Sequence, residues 1–265
     1  MDDIENLIKT KSFSDLISDG FRLFIRNYRA LFVVFLPFSI LLIILPFGML
    51  IAVFIFMNLF LVIPFYLLSH IMYILPLCLV SIFLFKKYSN VDAVFKTELK
   101  KAFNNRMLKP IILYLIYSVP SHLLFVIVRS YFYYTGLATS FPIYHFIFPI
   151  IFNLLFLIGL ALFIFIVFTY NIEDIDNPMK EAYSLTKSSF LKVYGILIIN
   201  YALCTIPLSI FYLIIYFLYG GLSAQSWLFY FLIIFIFIYG IILAPLLICL
   251  LTPLFAFLRK KEIKT

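Results

Sequence analysis

Within the apolar stretches of this chain, residue types that carry chemistry are few. His70 and His122 both stand among hydrophobic residues, each about 18 to 22 Å along a helix from the nearest basic tract at 1.5 Å of rise per residue. Similar depth on consecutive helices would allow a shared haem or metal ion, since imidazole ligates both. Neither histidine belongs to a ligand motif, and each has a hydroxyl neighbour, Ser69 or Ser121, as an alternative hydrogen-bond partner. Asn153, Asn200, Ser118 and Thr205 offer contacts between helices, worth about 0.6 kcal/mol each in a membrane interior. They offer equally the lining of a polar path. Cys78, Cys204 and Cys249 read as small buried hydrophobes rather than as a disulfide framework.

The residues that are missing exclude more than these include. Ionisable groups inside a bilayer mark proton relays, ion paths and catalytic sites. The apolar stretches contain no Asp, Glu or Lys, and a single Arg, Arg129. That composition disfavours a carboxylate-coupled transporter and a metal- or carboxylate-dependent intramembrane enzyme. No H-E-x-x-H, P-loop or G-x-S-x-G pattern is present. The expectation is a protein that is not an enzyme and holds no cofactor. Nine prolines, at positions 37, 46, 64, 76, 120, 149, 207, 245 and 253, lie in apolar sequence. Each removes a backbone donor and can leave a carbonyl for a neighbour, a water or a solute, which is the best support for a transporter. Gly240 and Ala244 form a small-xxx-small pair that predicts a close helix contact.

The elements that position these residues follow from charge. Of 265 residues, 65% are hydrophobic and 12% charged, against about 25% charged in a soluble domain. The charges fall in four polar tracts, 1–29, 86–109, 173–192 and 259–265, separated by apolar blocks of 56, 63 and 66 residues. About 20 residues cross the roughly 30 Å hydrocarbon layer as a helix, so each block holds two helices and a turn. The expected fold is all-α: one polytopic membrane domain over 1–265 with six transmembrane helices arranged as three hairpins. The approximate spans are 30–52, 62–85, 110–129, 147–170, 193–218 and 229–256. Turns are expected near Met57 and Asn58, from Arg129 to His145, and from Tyr219 to Trp227.

An even number of crossings between tracts puts all four on one face, with 19 of the 20 basic residues and all 12 acidic ones. The positive-inside rule makes that face cytoplasmic, with both termini inside, in a bacterial inner membrane. The pI of about 9.3 is then a consequence of topology and does not imply nucleic acid. The basic face suits anionic lipids of the inner leaflet, and a second copy or another membrane protein is a further candidate partner. No signal peptide is read at the N-terminus, because the first apolar run continues well past the length of an h-region.

Each of the first three tracts is amphipathic, predicting a cytoplasmic-face helix before each hairpin. In the first, Phe13, Leu16, Ile17, Phe21, Phe24, Ile25 and Tyr28 share one face, with Arg22, Arg26 and Arg29 on the other and Ser12 or Ser14 as N-cap. This helix is expected to lie in the headgroup plane and then turn into the bilayer. In the second, Ser89 stands three residues before Asp92, and Val91, Val94, Phe95, Leu99, Ala102 and Phe103 fall at helical spacing against Lys96, Lys100 and Lys101. In the third, Asn177 and Pro178 are a suitable N-cap and first residue, with Lys187 and Lys192 toward the C-terminal end. An offset of 166 residues aligns Ser18, Phe24, Arg26 and Tyr28 with Ser184, Phe190, Lys192 and Tyr194, a candidate internal repeat.

The segment Glu181–Ile196 resembles the stretch before the fifth helix of the glycerophosphoryl diester phosphodiesterase membrane-domain superfamily, which includes small YciC-type bacterial inner-membrane proteins. The opening Phe13–Leu36, through Arg26, Asn27 and Tyr28, is similar to that family's start. The resemblance implies a fold and a location without an activity, since the seven residues after Leu258 leave no room for a phosphodiesterase barrel. The resulting expectation is a non-enzymatic structural, accessory or lipid-interacting module. The alternative is a small transporter or flippase-type permease for a lipid or apolar solute.

Overall fold

The computed structural model describes residues 12–54, 62–91, 93–134, 144–170, 172, 175, 177–219 and 238–262. Among the described residues every regular element is helical. Six helices are long: α1 (Phe13–Phe54), α2 (Val62–Tyr88), α4 (Leu108–Tyr134), α5 (Tyr144–Phe163), α8 (Phe190–Tyr219) and α9 (Ala244–Glu262). Three are short: α3 (Phe95–Ala102), the single turn α6 (Ile166–Thr169) and α7 (Pro178–Ser188). A 3-10 turn, Asn105–Met107, leads into α4, and a π-helical turn, Tyr239–Leu243, leads into α9.

Four stretches among the described residues are long and apolar enough to cross a membrane: Phe13–Leu45, Pro64–Tyr88, Ile150–Thr169 and Gly240–Arg259. The expected spans 30–52, 62–85, 110–129 and 193–218 each fall within one helix, whereas 147–170 is divided between α5 and α6. Of the last span, residues 229–237 lie outside the described residues. So do the turns expected at Met57 and Asn58 and at Gly220 to Trp227, and most of the loop after Arg129.

The long helices meet in a ring: α1 on α2, α2 on α4, α4 on α5, α5 on α8, α8 on α9, and α9 back on α1 and α2. Helix α9 is innermost, buried almost continuously from Ala244 to Ala256. The outer faces carry exposed aliphatic side chains: Val33, Ile40 and Ile44 on α1, Ile112, Ile116 and Ile127 on α4, Ile151 and Leu155 on α5, Ile206 and Ile210 on α8. In water such faces would be a cost; against lipid tails they are the matched surface.

Two local expectations are met in detail. Ser12 caps α1, its Oγ accepting from the Asp15 N–H (3.2 Å) while the Asp15 carboxylate accepts from the Ser12 N–H (2.9 Å), a reciprocal capping box. Asn177 caps α7, its Oδ1 accepting from the Lys180 N–H at 3.1 Å, with Pro178 as the first helical residue.

Three others differ. First, α1 is a single helix of 42 residues, about 63 Å long, so the amphipathic segment is not a separate element that turns into the bilayer. No Pro or Gly-Ser break stands between Asp19 and Leu36 to stop it. Second, the buried stripe of its opening is Leu16, Gly20, Leu23 and Leu31, whereas Phe21 and Ile25 are exposed with Arg22, Arg26 and Arg29. Gly20 decides this rotation: a Cβ there would stand 2.7 Å from the Cα of Leu250, so only this face lets α9 approach. Third, α3 starts at Phe95 with Val94 as an N-cap lacking a side-chain bond, later than Ser89 predicts. Ser89 instead closes α2, where the Val91 N–H donates to Lys86 O (3.0 Å) and the Asn90 N–H to Lys87 O (3.3 Å). Asn90 has φ of 55°, a left-handed position that Asn tolerates at the end of such a motif.

Where α2 ends, Lys86 Nζ binds the Glu98 carboxylate of α3 at 2.8 Å, and Glu98 is buried. Tyr88 joins the same end to α1 by donating to the Asp19 carboxylate at 3.0 Å. Lys86→Met should leave the Glu98 charge buried and unpaired, lowering stability by about 3 kcal/mol. Lys86→Met combined with Glu98→Met should recover most of that loss, read as the melting temperature of the detergent-solubilised protein.

Candidate functional site

The fourth expected span, 147–170, ends in a buried segment cross-linked by side-chain hydrogen bonds. Helix α5 stops at Phe163, and Ile164 through Tyr170 are seven consecutive buried residues. A helix ending where water is absent leaves carbonyls that need other donors. Ser81 of α2 donates to Val167 O, and the Thr169 hydroxyl donates to Pro178 O at 2.8 Å. The Tyr170 hydroxyl is directed at Cys78 O (3.0 Å) and Ala102 O (3.2 Å), linking α2 to the end of α3. Around these bonds Phe168 stacks on Phe255 with ring centroids 4.6 Å apart, and Phe165 and Phe85 close on the same Phe255 ring at 5.5 and 5.4 Å.

Other buried hydroxyls bond backward along their own helices. Ser39 donates to Phe35 O, Thr186 to Ala182 O and Thr252 to Ile248 O, at 2.7 to 2.9 Å. Ser69 and Ser121 do the same, to Tyr66 O and Tyr117 O, rather than serving the neighbouring histidines through those hydroxyl protons.

His70 is buried between Tyr66, edge-on at 4.7 Å, and Tyr114 of α4 at 5.9 Å, and Tyr114 in turn stacks on Tyr73 at 5.7 Å. His122 follows Tyr114 by eight residues, about 12 Å farther along α4, and its side chain lies outside the described residues. Among the described residues no group of three or more His, Cys, Asp or Glu could hold a metal ion. Cys78 and Cys249 are buried thiols, and the side chains of Cys204 and Thr205 lie outside the described residues.

Asn153 and Asn200 stand on α5 and α8, two helices in contact and tied by the Tyr194 hydroxyl donating to Leu154 O at 3.2 Å. Asn153 is half-buried. Asn200 is buried, and its Oδ1 has no hydrogen-bond donor among the described residues. Gly240 lies within the π-helical turn and Ala244 directly follows it, and a Cβ on Gly240 would collide with Ser39 of α1. Of the interfacial cations, Arg22, Arg26, Arg29 and Lys187 are exposed, whereas Lys192 lies over the Phe257 ring at 5.4 Å. Sequence reading did not single out Arg259, whose guanidinium lies 5.8 Å from the Phe85 ring centroid. The aligned pairs of the candidate repeat, Phe24–Tyr28 and Phe190–Tyr194, both make ring contacts. Helix α1 runs through the first, while the second segment is broken at Ser189.

Among the described residues, two gaps between helices open to their surroundings. One, of about 220 Å³ with its open side included, is bordered by Phe38, Ser39, Met72, Pro76 and Gly240. Another, of about 310 Å³ on the same measure, lies where α2, α4, α5 and α6 meet, bordered by Pro110, Leu113, Tyr117, Gly159, Phe163 and Val167. Gly159 leaves room for the Tyr117 ring, whose hydroxyl donates to Phe156 O at 2.7 Å.

The chain matches no family model, no curated protein and no solved structure.

Two substitutions separate packing from function in this interior. Tyr170→Phe should cost about 1 kcal/mol, the net worth of one buried hydrogen bond, visible as a lower melting temperature. Asn200→Leu should leave the melting temperature unchanged or raise it, because it removes a buried acceptor that has no donor. A fall of several degrees would show that a water or a bound polar group serves Asn200.

Proposed function

We propose that this chain is a six-helix multi-pass protein of a bacterial inner membrane, with both termini cytoplasmic, acting as a structural, accessory or lipid-interacting module without catalysis. In this reading α1 and α2, α4 and α5, and α8 and α9 are the three hairpins, and the members of each pair are in contact. The observation that carries it is the use of the buried hydroxyls. Those of Ser81, Thr169 and Tyr170 donate to carbonyls of other elements and so tie them together, and those of Ser39, Thr186 and Thr252 donate along their own helices, so these six do not line a conduit. The exposed aliphatic faces and the cations stacked at helix ends, Lys192 on Phe257 and Arg259 on Phe85, suit a protein bounded by lipid. The likeness of Phe13–Leu36 and Glu181–Ile196 to the glycerophosphoryl diester phosphodiesterase membrane-domain superfamily belongs to the same proposal.

A second reading, a lipid flippase or apolar-solute permease, is favoured by one feature. Pro76 and the π-helical turn beginning at Tyr239 border the same 220 Å³ gap, and both interrupt regular helix bonding.

Reporter fusions and reconstitution test both readings. Alkaline phosphatase fused after Thr265 should be inactive in the periplasmic assay, and a green fluorescent protein there should fluoresce. The reverse pattern excludes cytoplasmic termini. In vesicles, the purified protein should not speed the loss of outer-leaflet protection of a fluorescent phospholipid beyond that of protein-free vesicles; a marked acceleration would establish the flippase.

A further inference from the structure

We propose that the outer surface of the elbow between α3 and α4 selects anionic phospholipids over zwitterionic ones, with Lys100, Lys101, Arg106 and Lys109 among the phosphates and Phe103 and Leu108 among the upper acyl chains. The proposal rests on the membrane reading above and adds to it a place and a lipid class.

Net charge singles out this tract. Residues 86–109 carry seven Lys and Arg against two acids, residues 1–29 five against five, residues 173–192 three against four, and residues 259–265 four against one. One of the two acids, Glu98, is buried and bound to Lys86 at 2.8 Å, so it does not screen the outer surface. The same contacts fix which side of α3 faces outward. Phe95 packs edge-on against Phe83 at 5.0 Å, Glu98 holds Lys86, and Ala102 O lies 3.2 Å from the Tyr170 hydroxyl. That stripe, at spacings of three and four, turns inward. Lys96, Lys100 and Lys101 are left exposed.

Contacts with α2 set the height of the elbow. The Tyr170 hydroxyl reaches both Cys78 O and Ala102 O, so the end of α3 lies beside Cys78. Tyr114 packs on His70 and Tyr73, which brings the start of α4 to the same height. Cys78 precedes Lys86 by eight residues, about 12 Å of helix, so the elbow stands that much nearer the bilayer centre than the basic end of α2. Asn104 holds the turn there, its Nδ2 donating to Lys101 O (2.9 Å) and its Oδ1 accepting from the Arg106 N–H (2.8 Å). Phe103 is 69% exposed and Leu108 56%. Leu108, Ile112 and Ile116 continue as one exposed stripe down α4, with exposed Lys109 beside it. Apolar side chains at this height take lipid tails, and the neighbouring cations extend their stems outward to the phosphate layer. A soluble acidic protein would match the charges alone; an anionic lipid matches the charges and the exposed Phe and Leu together.

The test uses the full chain without its single tryptophan, Trp227→Phe, and with one returned to the lipid side of α4 or of α1. Ile112→Trp places it one turn past Lys109, and Val33→Trp one turn past Arg29, whose tract has no net charge. Each protein is reconstituted in phosphatidylcholine vesicles doped with phosphatidylglycerol, and fluorescence quenching by the brominated form of either lipid gives the local preference. Phosphatidylglycerol should be preferred at least about fivefold at position 112 and less than about twofold at position 33. Lys100→Gln, Lys101→Gln, Arg106→Gln and Lys109→Gln together should bring the ratio at position 112 to about one. Roughly 0.5 M salt should lower it with all four cations in place, a reading that needs no change to the elbow. Equal ratios at the two positions, or a ratio at 112 that survives the four substitutions, would overturn the site and leave the cations to solvent or to a soluble acidic protein. Quenching at 33 with none at 112 would overturn it in favour of an elbow covered by protein. Absence of quenching at both positions would overturn the membrane reading itself, a failure distinct from that of the site.

Discussion

The structure depends on how one interrupted helix satisfies its backbone in a place without water. Ile164–Tyr170 is buried throughout, yet it contains the end of α5, the single turn α6 and the start of a loop. Free carbonyls there have no solvent to accept from, and each unsatisfied group would cost several kcal/mol in hydrocarbon. The segment's own N–H groups serve the carbonyls of Ile164, Phe165 and Ile166, and Ser81 of α2 donates to that of Val167. In return its side chains donate outward, Thr169 to Pro178 O at the head of α7 and Tyr170 to Cys78 O of α2 and Ala102 O at the end of α3. The Phe165, Phe168, Phe255 and Phe85 rings bring in α9. A break that looks like a weakness is therefore the point where four other helices, α2, α3, α7 and α9, are fixed relative to α5.

From that point outward, packing is governed by shape, because lipid tails offer as favourable a contact as leucine and no hydrophobic drive favours helix association. Close approach is confined to a few places. Gly20 lets α1 meet the backbone of α9, and Gly240 lets the π-helical turn meet Ser39 of α1. Elsewhere the chain fills its interior with Leu, Ile and Phe, and α9, in contact with α1, α2 and α8, becomes the most enclosed helix. Toward Tyr131 of α4 and Ile210 of α8 the described side chains are largely exposed, so the tight half of the bundle is the half next to the polar tracts.

Charge spacing made much of this fold legible. Blocks without Asp, Glu or Lys each coincide with long helices among the described residues, and Asn177-Pro178 and Ser12 marked real helix starts because capping is a local interaction. The face of α1 was not legible. Its opening has apolar residues on more than one stripe, and the choice between them was made by the distant Leu250 against Gly20. The break after Phe163 was equally hidden, since no Gly or Pro occurs from Leu160 to Tyr170. Only the polar pair Thr169 and Tyr170 at the end of a long apolar run hinted at it, and such a pair also reads as an interfacial belt. Among candidate site residues, spacing pointed to Gly240, where a Cβ would meet Ser39, but could not show that His70 would pack between Tyr66 and Tyr114.

The basic residues of the polar tracts also divide into two physical groups. Lys86, Lys192 and Arg259 are engaged within the protein, by Glu98, Phe257 and Phe85. Their charge is partly absorbed by a carboxylate or a ring face, and their role is to close helix ends. Arg22, Arg26, Arg29, Arg106, Lys109, Lys180 and Lys187 are exposed, and they stand beside exposed apolar side chains: Phe21 and Ile25 on α1, Leu108 on α4, Met179 and Tyr183 on α7. A cation next to an exposed hydrocarbon is poorly placed in water and well placed at a headgroup boundary, where both are satisfied at once. If the chain acts at all beyond holding its own helices together, this boundary is where its surface chemistry is concentrated, because the buried hydroxyls of Ser39, Ser81, Thr169, Tyr170, Thr186 and Thr252 are occupied by carbonyls.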